Sequence, residues 1–295
     1  MALHYRNKTI FDWKTYKRNK ISSIISLDIM DDLKIIFTQI DIQNIIIRNI
    51  NVSVGIIIQL NENLINDNIF NIISEYIKNK EYELKFFAIQ TLYNQKFEKG
   101  KNIKVYKNEY IKFLVNYFNP VIISLLPHSF YQPNIKLLNK YYEKFNKWIQ
   151  LSKCYNMINL GDDGGNICTI LHKFFKNMIT LFHCCYSYKC AEDMIKENNI
   201  NNLVLTYEIN TCINFDNSNE NIILFINPGR NGLRNYELDF INNSQNIHHI
   251  IYLACNYNAF LENKYQLDQY MIIDQIELDV MPLTRLKQNL IYMKK

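Results

Sequence analysis

The sequence predicts an α/β protein whose C-terminal half is a mostly parallel sheet covered by helices, preceded by a smaller mixed α/β region. Three observations carry this. From Met157 onward, short apolar runs of strand type alternate with helical patterns, which is how parallel strands with crossover helices are written in a chain. Ile250-Ile-Tyr-Leu-Ala-Cys-Asn256 opens on five apolar residues in a row, as expected of a strand buried on both faces. Finally, five of the seven glycines fall between Gly161 and Gly232, three of them in the turn Leu160-Gly-Asp-Asp-Gly-Gly-Asn166. A glycine turn between a first strand and a first helix lets backbone approach a nucleotide-like ligand. In such open sheets ligands sit beyond the carboxyl ends of the strands, where Cys255 would emerge.

The 295 residues exceed what one core usually serves, and a boundary is expected near Pro127, giving regions 1–127 and 128–295. In the first region, Asn44–Ile50, Val52–Leu60 and Tyr82–Tyr93 carry β-branched and aromatic runs expected as strands. Between them, Ile65–Lys78 presents Ile69, Phe70, Ile72, Ile73 and Ile77 at helical spacing. After the boundary, Ile135–Gln150 is expected as an amphipathic helix with Leu138, Tyr141, Tyr142, Phe145, Trp148 and Ile149 on one face. Then come strands at Met157–Leu160, Met178–His183, Ile222–Ile226 and His249–Cys255, with helices at Cys168–Lys176 and Ala191–Asn198.

Composition narrows the function classes. Hydrophobic residues at 48% and charged residues at 21% describe a folded chain and exclude a disordered one. A net charge of +5 permits phosphate binding without requiring it. The basic opening (Arg6, Lys8, Lys14, Lys17, Arg18, Lys20), interleaved with Tyr5, Phe11, Trp13 and Tyr16, suits either an RNA backbone or a solvated edge. No stretch approaches the roughly 20 apolar residues of a membrane span, so no membrane partner is expected. Seven cysteines, an odd number, fit a reducing compartment, and the expected location is cytoplasmic. The chain has no C-x-x-C pair and no metal site is expected; Cys185 and Cys190 read as core residues on a strand and a helix.

Several stretches then fall into one order. These are Ser129-Phe-Tyr-Gln-Pro-Asn134, Asn159-Leu-Gly-Asp-Asp-Gly-Gly-Asn166, Asn227-Pro-Gly-Arg-Asn-Gly-Leu233, Tyr252-Leu-Ala-Cys-Asn256 and Asp279-Val-Met-Pro-Leu-Thr284, with His4-Tyr-Arg6 near the start. In order and spacing they resemble the motifs of the RNA uracil-5-methyltransferase family, whose best-known members methylate the T-loop uridine of tRNA. The resemblance implies a Rossmann-like S-adenosylmethionine-dependent methyltransferase domain preceded by an RNA-recognition domain, with S-adenosylmethionine as cofactor and tRNA or another structured RNA as partner. It makes Cys255 the nucleophile and places Asn227 and Arg230 where uracil and cofactor meet. Gln132, Gly161, Gly164, Gly165, Asn166 and Asn227 would hold the cofactor.

The chemistry of that family asks for these residue types. Carbon 5 of uracil is a poor nucleophile, so a thiolate adds at carbon 6 to make an enolate, carbon 5 takes the methyl group, and a base removes the carbon-5 proton before the thiol leaves. Six residues beyond Pro282 the family places its glutamate base, and here the residue is Gln288. The family's aspartate is Asn227, the middle glycine of the cofactor turn is Asp163, and the ribose-binding carboxylate is replaced within Phe182–Cys185. An offset of one residue would bring in Asp162, Glu277 or Asp279. Two functions follow: a tRNA uridine-5-methyltransferase with a shifted carboxylate set, or a degenerate relative that binds or remodels tRNA without methylating it.

Overall fold

The computed structural model describes residues 8–12, 15–19, 22–37, 42–60, 67–91, 103–126, 129, 138–161, 165–279 and 287–295. The chain divides into two compact units, the first built mainly from residues up to Phe113 and the second mainly from residues after Lys136.

The first unit is a five-stranded sheet in simple sequence order, β1 (Lys8–Asp12), β2 (Ile42–Ile50), β3 (Ser53–Leu60), β4 (Glu83–Thr91) and β5 (Ile103–Asn108). Helices α1 (Ile24–Ile36) and α2 (Asp67–Asn79) complete it. Neighbours are antiparallel except β3 and β4, which run parallel because α2 carries the chain back between them. Between β2 and β3 the chain reverses through two residues, and Asn51 takes the left-handed conformation (φ 52°) that this tight turn asks for. Ile69, Ile73 and Ile77, one turn apart on α2, are buried with Ile45, Ile47, Ile56 and Ile58 of the sheet. The expected helix therefore forms, described from Asp67 to Asn79. Helix α1 has a weaker signal: it begins at the N-cap Ser23, whose hydroxyl accepts from the Ser26 amide at 3.0 Å.

Between the units in sequence, β6 (Ile111–Asn116) and β7 (Pro120–Leu125) form a two-stranded sheet. Asn198 holds its second strand, accepting from the Ile122 amide (2.7 Å) and donating to the Ile122 carbonyl (2.8 Å).

The second unit carries a seven-stranded sheet in the order β10-β9-β8-β11-β12-β14-β13. Its strands are β8 (Asn156–Gly161), β9 (Asn177–Leu181), β10 (Leu203–Thr206), β11 (Ile222–Asn227), β12 (Ile247–Ala254), β13 (Met271–Leu278) and β14 (Gln288–Lys294). Its helices are α3 (Leu138–Ser152), α4 (Asn166–Leu171), α5 (Cys185–Glu197), α6 (Ile209–Ser218), α7 (Asn235–Asn243) and α8 (Tyr257–Gln266). The first five strands are parallel: the chain starts at β8, builds outward to β10, then returns to the other side of β8 and builds outward again. Order thus reverses between β8 and β11, which is where open α/β sheets bind ligands. β14 runs antiparallel to β12, and β13 antiparallel to β14.

The apolar runs of β8, β11 and β12 are buried as central strands should be. On one face Ile158, Leu160, Leu224, Ile226, Tyr252 and Ile291 pack with Leu238 and Phe260 of α7 and α8. On the other lies α3, with Phe145 edge-on to Phe225 (5.4 Å) and Trp148 stacked on Tyr292 (5.4 Å). One expectation is corrected: Cys185 is exposed at the start of α5 and is not a strand core residue, because the chain leaves β9 at Leu181; Cys190, on the inner face of α5, is buried. Among the described residues no helix is long and apolar enough to cross a membrane, and no cluster of His, Cys, Asp and Glu could hold a metal.

Candidate active site

Strand pairing alone assembles the centre of the site. β12 and β14 pair antiparallel with Tyr252 opposite Ile291 and Ala254 opposite Asn289. One further step brings Cys255, just past the end of β12, level with Gln288, the first residue of β14. Directly opposed residues share a face, so both side chains lie on the α3 side of the sheet. Helix α3 answers them. Its buried stripe Tyr141, Phe145, Trp148 ends in the Tyr141 phenol, which donates a hydrogen bond to Gln288 Oε1 and lies within electrostatic reach of Cys255.

Cys255 is half-buried, and burial raises its thiol above its ordinary value, opposed first by a hydrogen bond from its own backbone and then by the Arg230 guanidinium. Burial first, and the Cys255 thiolate second, push the Tyr141 phenol well above its ordinary value. It therefore stays protonated and acts as a donor.

The next residue explains the Cys-Asn pair. Asn256 caps α8, its Oδ1 accepting from the Asn258 amide at 3.2 Å, while its Nδ2 donates to the Arg230 carbonyl at 3.0 Å. The Asn227–Leu233 loop is fastened at a second point by Asn263, a buried residue of α8. Asn263 Oδ1 accepts from the Leu233 amide (2.8 Å) and from the Tyr252 hydroxyl (2.7 Å). Gly232 passes so close, at φ 75°, that a Cβ there would lie 2.5 Å from the same oxygen. The loop that carries Arg230, exposed and within electrostatic reach of Cys255, is thereby tied to α8 at two points.

At the reversal of strand order, Gly161 and Asn227 are direct partners at the ends of β8 and β11. Gly161 has φ 140°, and a Cβ on it would stand 2.2 Å from the Asn227 carbonyl oxygen, so no other residue lets the two strand ends meet. Gly165 (φ 74°) serves the packing of α4 on α5, where a Cβ would strike Ala191 Cβ at 2.7 Å. Asn166, the first residue of α4, is buried. Gln132, Gly164, Asp162, Asp163 and the Pro282 stretch lie outside the described residues.

Among the described residues, the candidate carboxylates Glu277 and Asp279 lie at the end of β13. Glu277 pairs with Asn289 and Leu278 with Gln288, so Glu277 projects from the sheet face opposite to Gln288. It is exposed and bound by Lys287 Nζ at 2.7 Å. Asp279 is exposed, with the Lys287 ammonium near it. Of the carboxylates that an offset would bring in, Glu277 is thus on the face away from Gln288, and Asp162 lies outside the described residues. Past the end of β9, Phe182 is buried and His183 Nε2 lies 3.2 Å from Oε1 of Glu237, whose other oxygen accepts from the Arg234 amide at 2.7 Å. Glu237 is buried in the first turn of α7 and both its oxygens are engaged, which makes it a clasp between β9 and α7.

Three residues of this arrangement are not found by reading the sequence. Tyr141 reads there only as part of an apolar stripe, although a stripe that aims at a strand end carries its last polar atom into whatever lies there. Asn263 and Glu237 have no local signal, because each acts on partners distant in the chain.

A parallel array built outward from β8, closed by an antiparallel β13–β14 pair and opening at the β8–β11 reversal, is the Rossmann-like fold of S-adenosylmethionine-dependent methyltransferases. Among solved structures, the chain is similar over 99% of its length to the tRNA (uracil-54) carbon-5 methyltransferase of Pyrococcus abyssi, solved with S-adenosyl-L-homocysteine, with a TM-score of 0.75, 15% identity and 75% of that chain covered. A putative S-adenosylmethionine-dependent methyltransferase from Streptococcus mutans aligns with a TM-score of 0.48 and 10% identity over 94% of this chain and 83% of that one. No protein-family model and no curated protein matches the chain.

Proposed function

We propose that the chain is a tRNA uridine-5-methyltransferase that adds Cys255 to carbon 6 of the target uracil. The observation that carries this reading is the β12–β14 ladder, which ends at Ala254–Asn289 with Cys255 and Gln288 each one step beyond, and with the Arg230 guanidinium within electrostatic reach of the thiol. A site needs a nucleophile, a cation to favour its thiolate and a polar group over the ring, and these three residues supply them.

The residues at the β8–β11 crevice fit S-adenosylmethionine in part. Gly161, Gly165, Asn166 and Asn227 are the described residues expected to hold it, and Gly229, with nothing within 4 Å of a would-be Cβ, leaves room in the Asn227–Leu233 loop. The end of β9 offers the ribose no carboxylate, so weaker binding is expected than with one. When bound, the cofactor supplies a methyl group as a sulfonium. Arg230 favours the Cys255 thiolate, which forms the bond to carbon 6 while the thiol proton goes to solvent. Asn227 and Arg230 stand where uracil and cofactor would meet. The first unit is assigned to RNA recognition.

Gln288 motivates a second reading, in which the protein binds tRNA without completing methyl transfer. An amide accepts no proton, and Glu277 projects from the other face. Incubating the full chain with a tRNA transcript and radiolabelled S-adenosylmethionine tests the first reading: label in RNA, or in a protein–RNA complex that survives denaturation, supports it. Bound tRNA with label in neither, at saturating cofactor, supports the second.

A further inference from the structure

The α3 stripe makes polar contacts with the sheet: Trp148 Nε1 donates to Asp274 Oδ2 at 3.0 Å, and nearer the start of the helix Tyr141 (2% exposed) meets Gln288 (4% exposed). The two residues are 147 positions apart in the chain, and each buries a polar group that needs a partner. In their hydrogen bond the phenol donates and the amide oxygen accepts, so the other branch of the carboxamide, its NH₂, is a donor. Extended by one step, the β12–β14 register brings Cys255 level with this amide, and the Tyr141 phenol that holds the amide lies within electrostatic reach of the Cys255 sulfur.

We propose that Tyr141 is a positioning residue of the Cys255 site: it fixes the Gln288 carboxamide so that this position donates a hydrogen bond to a ring oxygen of the pyrimidine instead of accepting a proton from it. The proposal rests on the uracil reading and deepens it. Thiolate addition at carbon 6 pushes charge onto the oxygen of carbon 4, which neighbours carbon 5, so one side chain reaches either position. A fixed N–H donor stabilises that charge, whereas a carboxylate in its place repels it. The site is thereby built for addition and methylation more than for release.

A tRNA transcript carrying 5-fluorouridine in place of uridine separates the steps. With S-adenosylmethionine, the sulfur–carbon 6 bond forms, carbon 5 takes the methyl group, and the sulfonium becomes a neutral thioether. Fluorine cannot leave carbon 5 as a proton, so the complex persists and needs no base. The rate of complex formation is read on a denaturing gel for the full chain, Tyr141→Phe, Gln288→Ala, the double variant and Gln288→Glu. Each single variant is expected to lower the maximal rate about tenfold with the half-saturating RNA concentration unchanged, and the double variant to fall no lower than either. Gln288→Glu is expected to lose rate on this RNA. Additive losses, a normal rate in Tyr141→Phe, or a change in half-saturation alone would overturn the proposal while leaving the methyltransferase reading intact. If Tyr141→Phe does not fold, Gln288→Ala and Gln288→Glu decide it, since both leave the α3 stripe unaltered, and a normal rate in either overturns the proposal. Absence of any complex with the unaltered protein overturns both.

Discussion

Cys255 follows directly on the Ala254–Asn289 pair that ends the β12–β14 ladder, and Gln288, the first residue of β14, stands one step beyond the same pair. The amide is held by the pairing of Gln288 with Leu278, the thiol follows directly on the end of β12, and what either can do chemically depends on the groups around them: Arg230 for the thiol, Tyr141 for the amide.

Gln288→Glu is expected to raise turnover on ordinary tRNA. Methylation without proton removal leaves the protein bonded to its product, and a carboxylate at this place supplies the missing acceptor. A general base is usually worth roughly 10²-fold or more. Steady-state methyl transfer and a gel for the trapped complex check it: turnover rises and the complex disappears. An unchanged rate in protein that binds cofactor and RNA would remove Gln288 from the base position.

Cys255→Ala is expected to abolish transfer and leave the fold intact. The thiol lies past the last hydrogen-bonded pair of β12 and is only half-buried, so its removal costs about 1 kcal/mol or less. Thermal unfolding and the transfer assay together test this. Residual activity in the variant would mean that another group is the nucleophile.

Alkylation of Cys255 by iodoacetamide reports its thiolate. Burial raises the thiol above its ordinary value, so labelling should be slow at neutral pH and climb only in alkaline solution. Arg230→Ala removes the opposing charge and should shift the profile further upward. A profile unmoved by that change would show that Arg230 does not act on the thiol.

His249 gives an acid limb to stability. Its imidazole, hydrogen-bonded to the Tyr292 hydroxyl at 2.8 Å, is lowered from 6.5 to about 4, first by burial and then by Lys294 and His248. A depressed folded value means that the unfolded chain binds the proton more readily, so this contribution is complete above pH 6.5 and is lost as pH falls toward 4. His249→Gln should flatten unfolding free energy over that window in denaturant titrations. An unaltered slope would place the acid sensitivity elsewhere.

Asn263→Ala should loosen the loop that carries Arg230. Two donors, the Leu233 amide and the Tyr252 hydroxyl, lose their shared acceptor, at a cost of about 2 kcal/mol. Asn263 touches neither thiol nor amide. Chemical denaturation measures the loss, and the alkylation profile of Cys255 should move as it does in Arg230→Ala.

The sequence made the parallel sheet legible because its central strands are buried on both faces and so are written as unbroken apolar runs. Ile250 to Ala254 is the clearest case, and the helical spacing of Ile69, Ile73 and Ile77 is as plain. Weakly patterned elements are not legible. β10, with Leu203 and Leu205 half-buried and Val204 exposed, and the edge strand β13 have no continuous apolar run because little covers them. In the site, Cys255, Asn227 and Arg230 can be found because short local patterns carry them. The side on which Glu277 lies cannot, because it depends on the pairing of β13 with β14, a relation between strands that no stretch of one strand encodes. Tyr141 is hidden for a similar reason: its helical face is clear, but the partner of that face is not.

The ladder joining β12 to β14 has a bearing on how such a protein changes over generations. Glutamine and glutamate have the same length and shape, and their codons differ at one base. With the spacing at position 288 set by main-chain pairing, passing between a donor and a proton acceptor requires no rearrangement of the surroundings. A lineage can therefore exchange one group for the other there by a single nucleotide change, in either direction, while the scaffold that presents it stays as it was.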